Sequence, residues 1–165
     1  MEEKESKKME EIPEGEVISP QVNKKAELMK KFLADRKIEC FETEELNNEY
    51  KTTVFRSRMV IRGQELPFAI LIDESVYTLL QIRLAAPVVK QERSAELALF
   101  VNELNNEYRM FKFNVSQEGS VLMSTIFTAQ DHLFAPELLG AVLDETMKFL
   151  EADYGKIMGK IWNMA

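Results

Sequence analysis

Residues 66–84 constrain the fold more than any other stretch, because their pattern is typical of two β-strands joined by a tight turn. The turn is the polar segment 73–75, Asp-Glu-Ser, and an apolar segment lies on each side of it. The segment from Phe68 to Ile72 is apolar at every position, so it is expected in the middle of a sheet. The segment after the turn alternates with a period of two, which predicts one buried and one partly solvated face. These faces are Val76, Thr78, Leu80, Ile82 and Leu84 on one side, and Tyr77, Leu79, Gln81 and Arg83 on the other.

Helices and further strands are predicted on both sides of this hairpin. Apolar residues recur at helical spacing in residues 23–37, 91–105 and 136–153. A last helix or helical turn is expected around 154–162, with Gly155 and Gly159 as interruptions. Strands are predicted over 52–62, 109–116 and 120–129, with an additional short strand to be considered around 40–43.

The order of these elements is α-β-β-β-α-β-β-α, and tight turns join successive strands. This order predicts an α+β domain, in which helices pack on one face of a mainly antiparallel, twisted sheet of about five strands. The chain has 165 residues, which is enough for one hydrophobic core. Residues 1–21 contain few apolar residues and cannot bury enough surface to offset their ordering entropy. We therefore expect residues 1–21 to be a mobile charged tail and residues 22–165 to be a single domain.

Charge and cysteine content limit the cellular setting and the partners. The formal net charge is −7, whereas nonspecific nucleic-acid binding needs a basic surface. The single cysteine, Cys40, allows no internal disulfide, and this favours a reducing cytoplasm. The N-terminal residues lack the apolar stretch of a signal peptide, and no apolar run has the length of a membrane span. A cytoplasmic protein with no membrane partner is expected.

No catalytic or metal-binding motif is present in the sequence. The chain has one histidine, His132, and one cysteine, so neither a metal cluster nor a Ser/His or Cys/His couple has its usual pattern. The carboxylates of Glu39 and Glu42 near Cys40 would raise the pKa of a thiol, and Cys40 is expected to be a small core residue. Gly155-Lys156 and Gly159-Lys160 lack the context of a phosphate-binding loop. We expect no enzyme activity, no cofactor and no metal.

The strongest candidate for a binding site is the solvated side of the predicted sheet. Basic and aromatic residues alternate outward there, and these are Arg56, Arg58, Tyr77, Arg83 and Lys112. One interpretation is a binding face for an acidic peptide, a partner subunit or a single-stranded nucleic acid. The simpler interpretation is that strands alternate in this way to remain soluble.

A six-residue repeat, Glu-Leu-Asn-Asn-Glu-Tyr, occurs at 45–50 and at 103–108. Asparagine tolerates the left-handed backbone conformation that ends a helix, which gives the repeat a local explanation. An ancient αββ duplication is the alternative. The first copy lies well past its predicted helix, so the local explanation is preferred.

Several segments in order carry a resemblance to a known family. They include the strand Tyr-Thr-Leu-Leu-Gln-Ile-Arg-Leu-Ala-Ala-Pro-Val from Tyr77, the helix end at 100–108, the strand from Met110 to Val115, and the segments 121–128 and 136–154. From Ile38 to Trp162 the chain resembles a YbjN-like domain of the bacterial sensory-transduction-regulator family. The resemblance implies a fold like that of type III secretion chaperones, often dimeric, and it implies no established enzymatic activity and no catalytic residues.

Together these observations predict a non-catalytic, protein-binding module, chaperone-like or regulatory in bacterial signalling, that forms a homodimer. The mechanism expected is β-augmentation, in which an apolar groove or an exposed strand edge accepts a segment of an unidentified protein or peptide. The alternative is a nucleic-acid-binding regulator that uses Arg56, Arg58, Arg83 and Lys112, although the acidic charge argues against nucleic acid. An enzyme would require a pocket that brings His132 together with acidic residues distant in sequence.

Overall fold

Three α-helices and six β-strands make up residues 22–165, which are the residues that the computed structural model describes. The prediction for residues 1–21 lies outside the described residues. The helices are α1 (Lys24–Asp35), α2 (Ser94–Glu107) and α3 (Pro136–Trp162), and short 3₁₀ helices span Gln91–Arg93 and Asp131–Leu133. The strands are β1 (Glu42–Glu45), β2 (Thr53–Ile61), β3 (Gln64–Ile72), β4 (Tyr77–Ala85), β5 (Lys112–Val115) and β6 (Val121–Thr128).

The strands form one sheet in the order β1-β2-β3-β4-β6-β5. Every neighbouring pair in this sheet is antiparallel. The predicted α+β class and element order are confirmed, and the additional short strand that the sequence left open is present as β1, so the described sheet has six strands. The wholly apolar segment at 68–72 lies in β3, between β2 and β4, as expected.

The central hairpins are closed by turns whose residues suit them. The β2–β3 turn is Arg62-Gly63, with φ of 50° and 80°, and positive φ at both residues is the requirement of a two-residue turn that matches strand twist. The β3–β4 turn is fixed by the side chain of Asp73, whose Oδ1 accepts a hydrogen bond from the Ser75 N–H at 2.9 Å. Both turns place their flanking strands in the register that the hydrophobic alternation requires.

One face of the sheet carries the core, and the three helices contribute to it. Among the most deeply buried strand residues are six that are at most 2% exposed, namely Phe55, Ile70, Leu80, Ile82, Phe113 and Met123. The helices contribute Met29 and Leu33 from α1, Leu97, Phe100, Val101 and Leu104 from α2, and Leu139, Leu150, Ile157 and Ile161 from α3. The expectation that the helices pack on one side of the sheet agrees with this core.

Three local predictions were wrong. Helix α3 continues unbroken through Gly155 and Gly159. Gly155 instead makes room for the side chain of Arg62, since a Cβ at residue 155 would lie 2.7 Å from Arg62 Nη1. Cys40 is exposed and is not a core residue, since it precedes β1 at the sheet edge. The non-glycine residues with positive φ are Lys37, Lys51 and Arg62, so the repeated asparagines do not supply left-handed positions within the described residues.

Candidate functional site on the helix-free face of the sheet

Alternate side chains of every strand point away from the helices, and we call the surface that they form the open face. Its members in the four longest strands are Val54, Arg56, Arg58, Val60, Glu65, Pro67, Ala69, Leu71, Tyr77, Leu79, Gln81, Arg83, Leu122, Ser124, Ile126 and Thr128. Lys112 lies opposite Ser124 in β5, and Glu42 lies opposite Arg56 in β1. All five residues of the predicted site, Arg56, Arg58, Tyr77, Arg83 and Lys112, therefore lie on this one face. Their role in binding a partner stays a prediction.

One half of the open face is basic and polar. A single transverse row crosses all six strands through cross-strand partners, in the order Glu42, Arg56, Ala69, Gln81, Ser124 and Lys112. Arg83 lies two residues further along β4, opposite Leu122. The pairing of β4 with β6 shifts register between Arg83 and Ala85, and such an irregularity redirects the nearby side chains. Arg56, Arg83 and Lys112 are all exposed.

The other half of the open face is apolar. Its main row joins Leu71, Leu79 and Ile126, which are direct cross-strand partners. Leu71 and Leu79 are half-buried, whereas Ile126 is 59% exposed. Tyr77 follows at the end of β4, where it lies opposite Thr128 and is 56% exposed. An apolar row beside a basic row is the kind of surface that an amphipathic segment can cover.

A shallow depression of about 660 Å³ lies in the basic half. Small or apolar residues line it, namely Pro67, Ala69 and Leu122, and the arginines Arg56, Arg58 and Arg83 line it as well. Pro67 has no N–H, and the ladder between β3 and β4 begins only at Phe68, one residue later. Ala69 lies between the longer side chains of Arg56 and Gln81, its cross-strand neighbours. The depression forms because Pro67 and Ala69, in the middle of the sheet, have short side chains.

The cations of the open face differ in their partners. Arg56 pairs with Glu44 at 2.9 Å, and Arg58 pairs with Glu65 at 3.2 Å. Exposed pairs of this kind contribute about 0–1 kcal/mol each, so they can be exchanged for other partners at small cost. The side chains of Arg83 and Lys112 have no ion pair or hydrogen bond within residues 22–165. These two residues are the cations of the open face that remain available to a partner.

The two edges of the sheet are poorly suited to accept an added strand. At β5, the Phe113 N–H donates to Asn105 Oδ1 at 2.7 Å, and the Phe113 carbonyl accepts from Asn105 Nδ2 at 2.9 Å. The amide of Asn105 thus occupies the backbone groups that an added strand would use at this residue. At the opposite edge, β1 is exposed along its whole length and carries Glu42, Glu44 and Glu45. Charged side chains on a short edge strand are a common device against strand addition.

Lys25 is a polar residue of the core that sequence analysis did not identify. Its side chain is fully buried, and its Nζ donates to the carbonyls of Ser75 at 2.5 Å and Tyr77 at 3.0 Å. Burial lowers the pKa of Lys25, while the nearby carboxylates of Asp73 and Asp131 act in the opposite direction. Because both neighbouring carbonyls are satisfied and solvent is excluded, Lys25 fastens α1 to the β3–β4 turn and is closed to substrate. No pattern in the sequence distinguishes it from the solvated lysines nearby.

Within residues 22–165, an acid–base site would have to use His132, the one histidine of the chain. His132 lines a second depression together with Glu27 and Asp131, and Glu27 is distant from it in sequence. Among the described residues, no hydrogen bond joins His132 to either carboxylate. No group of three or more potential metal ligands occurs within the described range. None of the helices described has both the length and the hydropathy of a membrane-spanning segment.

Comparison with known proteins places the chain in a family. The fold is that of an α+β domain whose sheet is covered by helices on one face and open on the other. The model of the YbjN family, described as "Putative bacterial sensory transduction regulator", matches residues 25–154. The chain belongs to the YbjN family, as the sequence resemblance predicted. A search of curated proteins finds no match. Among solved structures, a chain of the "Crystal Structure of the ExsC-ExsE Complex" is similar at 14% identity and a TM-score of 0.45, over 76% of this chain and 90% of that chain.

Proposed function

We propose that this protein is a non-catalytic, cytoplasmic regulator that binds a protein partner on the open face of its sheet. The observation that carries the proposal is the joining of two kinds of surface on that face. The unpaired cations Arg83 and Lys112 lie on one half, and the apolar row of Leu71, Leu79 and Ile126 lies on the other. A protein segment with carboxylates at one end and apolar side chains at the other complements both halves.

The edges support the open face over β-augmentation as the main binding mode. An added strand at β5 would have to displace Asn105 from both backbone groups of Phe113. An added strand at β1 would run beside Glu42, Glu44 and Glu45. We also propose that the protein forms a homodimer. Pairing of β1 with β1 of a second copy is excluded as the dimer interface, because it would bring the β1 carboxylates of both copies together.

Nucleic acid is the weaker candidate for the open face. Glu42, Glu44 and Glu65 are interleaved with Arg56 and Arg58 on that face, and a phosphate backbone would meet these carboxylates. Binding to nucleic acid depends on releasing counterions from several phosphates at once. Two unpaired cations provide little of that effect, whereas they suffice to orient one acidic protein segment.

The test is partner capture with matched charge reversals. The tagged native chain would be compared with the double variant Arg83→Glu/Lys112→Glu and with the control Lys31→Glu/Lys148→Glu, which makes the same change in net charge away from the open face. We expect the first variant to weaken the captured complex by at least about tenfold, which corresponds to about 1.4 kcal/mol. The control should leave the affinity unchanged. Equal weakening by both variants, or capture of nucleic acid that leaves in moderate salt, would contradict the proposal.

A further inference from the structure

We propose that the open face binds its partner segment as a short α-helix that lies along β4, and not as an extended strand. The apolar half of this helix covers the row of Leu71, Leu79 and Ile126, and its acidic half lies among the cations of the basic half. The inference rests on the proposed function, because it names the kind of segment that occupies the same face.

A segment on the open face finds no backbone groups of the sheet to pair with. The inner strands β2, β3, β4 and β6 each have a neighbour on both sides, so their backbone N–H and carbonyl groups are paired within the sheet. An extended segment on this face would turn its own N–H and carbonyl groups toward the protein without partners, and burying such groups costs free energy. A helix pairs these groups internally, so it can bury one side on the face without that cost.

The basic half of the open face has the width of a helix. In the row through Gln81, its two neighbours are the short residues Ala69 in β3 and Ser124 in β6. The next positions outward are Arg56 in β2 and Lys112 in β5, four strand spacings apart, which is roughly 19 Å at the backbone. A helix with its side chains is about 10–12 Å across, so it fits between these two cations and keeps both within reach of its carboxylates. An extended segment is about one strand spacing wide and would leave at least one of them out of contact.

The depression in the basic half follows the same path. Its lining crosses from Arg56 in β2 through Gln81 to Leu122 in β6, so it lies over β3 and β4. Arg83 lines it as well, and Arg83 is four residues from Leu79 along β4, a distance of roughly 13 Å. Eight residues of a helix rise by about 12 Å. Apolar side chains in one turn and carboxylates about two turns further would therefore meet Leu79 and Arg83 at the same time.

The charges of the open face favour an acidic helix end over β4 and toward β5. No Asp or Glu occurs in β4, β5 or β6, whereas β1 and the start of β3 do carry carboxylates. The side chains of Arg83 and Lys112 have no ion pair among the described residues. The third cation, Arg56, has an exposed pair with Glu44, and such pairs are exchanged at small cost. Carboxylates at one end of a helix would thus meet cations and no competing acids along β4 and β5.

The test uses a designed probe in place of the partner. A fluorescent peptide of about 16 residues carries leucine at positions i, i+3 and i+4 and glutamate at i+7, i+8 and i+11, so both sets lie on one face of a helix. A side-chain cross-link on the opposite face holds the peptide as a helix. The reference peptide lacks the cross-link and has one proline between the two sets, which prevents a continuous helix. Fluorescence anisotropy with the full chain measures both dissociation constants.

We expect the cross-linked helix to bind at least about tenfold more tightly than the reference peptide, because only the helix pairs its own backbone groups. Ile126→Glu should weaken binding of the helix at least about tenfold. Leu99→Glu introduces the same charge at a comparably exposed residue of α2 and should leave the affinity unchanged. Arg83→Glu/Lys112→Glu should weaken binding as Ile126→Glu does, in contrast to the charge-matched control used for partner capture.

Two results would overturn the inference directly. One is equal binding of the two peptides, and the other is no binding of the cross-linked helix at about 1 mM. A second copy of the chain is the other occupant to exclude. If light scattering shows that the chain alone is a dimer, and Ile126→Glu dissociates it while Leu99→Glu does not, the open face is a dimer interface and the inference fails.

Partner capture separates this inference from the proposed function. If capture of the native partner depends on Arg83 and Lys112 but the two peptides bind equally, the inference fails and the proposed function stands. If the cross-linked helix binds with the expected dependence on Ile126, Arg83 and Lys112 but Arg83→Glu/Lys112→Glu leaves partner capture unchanged, the face selects helices and the proposed function fails. If both hold, the cross-linked helix should displace the captured partner and the reference peptide should not.

Discussion

The two faces of the sheet are built by the same strands, yet they have opposite roles. In β2, Phe55 and Ile61 are fully buried against the helices, while Arg56 and Val60 between them are exposed on the open face. The covered face excludes water and holds the helices in place. The open face holds its residues in fixed rows without contributing most of their side chains to the core. Residues for binding can therefore change on one face while the other maintains the fold.

The largest difference between the faces should appear in the stability of alanine variants. Leu150 in α3 is completely buried, and Leu150→Ala should lower the free energy of unfolding by about 2–5 kcal/mol, because the variant loses apolar burial and leaves a cavity. Ile126→Ala, on the open face, should lower it by no more than about 0.5 kcal/mol. Urea denaturation followed by circular dichroism measures both values. A large loss at Ile126 would mean that another chain or segment covers the open face permanently.

The next effect concerns the edge where β5 meets α2. Asn105→Ala should lower the free energy of unfolding by about 1–2 kcal/mol, because the Phe113 N–H and carbonyl each lose a hydrogen-bond partner. Asn106→Ala is the matched control, since Asn106 is the exposed neighbour in the same helix. The control should be neutral or slightly stabilising, because alanine favours helix.

The same Asn105→Ala variant should also make the β5 edge available for strand addition. Light scattering should then show association that increases with protein concentration and that the Asn106→Ala control lacks. A variant that loses stability without associating would indicate that α2 alone is enough to protect this edge.

Hydrophobic alternation made the fold and the open face predictable. The period of two in residues 76–84 placed Tyr77 and Arg83 on the side away from Leu80 and Ile82, and the structure has them there. Alternation works because successive side chains of a strand point to opposite faces, so a core on one side determines the other side as well. The division of the open face into a basic and an apolar half depends on register between strands, which the sequence of one strand does not contain.

The features that the sequence could not predict depend on contacts between distant residues. Gly155 appeared to interrupt a helix, but the helix continues and the glycine accommodates Arg62 from the β2–β3 turn. Lys25 resembles any helical lysine, yet the β3–β4 turn supplies the two carbonyls that allow its burial. The two copies of the repeat take different structures, since residues 103–107 end α2 while residues 46–50 connect β1 and β2. For Gly155 and Lys25, the contacting residue lies on an element that is distant in sequence.

The smallest effect compares a tyrosine from each face. On the covered side, the Tyr108 hydroxyl donates to Asp153 Oδ1 at 2.9 Å, and Tyr108→Phe should lower the free energy of unfolding at pH 7 by about 0.5–1.5 kcal/mol. Burial, followed by the bond to Asp153, raises the pKa of Tyr108 from 10.0 to about 12. A raised pKa means that the folded state favours the neutral phenol, so this contribution is complete below pH 10 and is lost as the pH rises toward 12.

The stability of the native chain should therefore fall more steeply than that of Tyr108→Phe between pH 10 and pH 12, and urea denaturation at a series of pH values measures both slopes. Comparing the two chains removes the effect of lysines, which also lose charge in this range. Tyr77→Phe is the control on the open face, where the Tyr77 hydroxyl has no hydrogen-bond partner within residues 22–165. It should leave stability at pH 7 unchanged. Parallel slopes for the native chain and Tyr108→Phe would show that the contact with Asp153 does not hold the phenol in its neutral form.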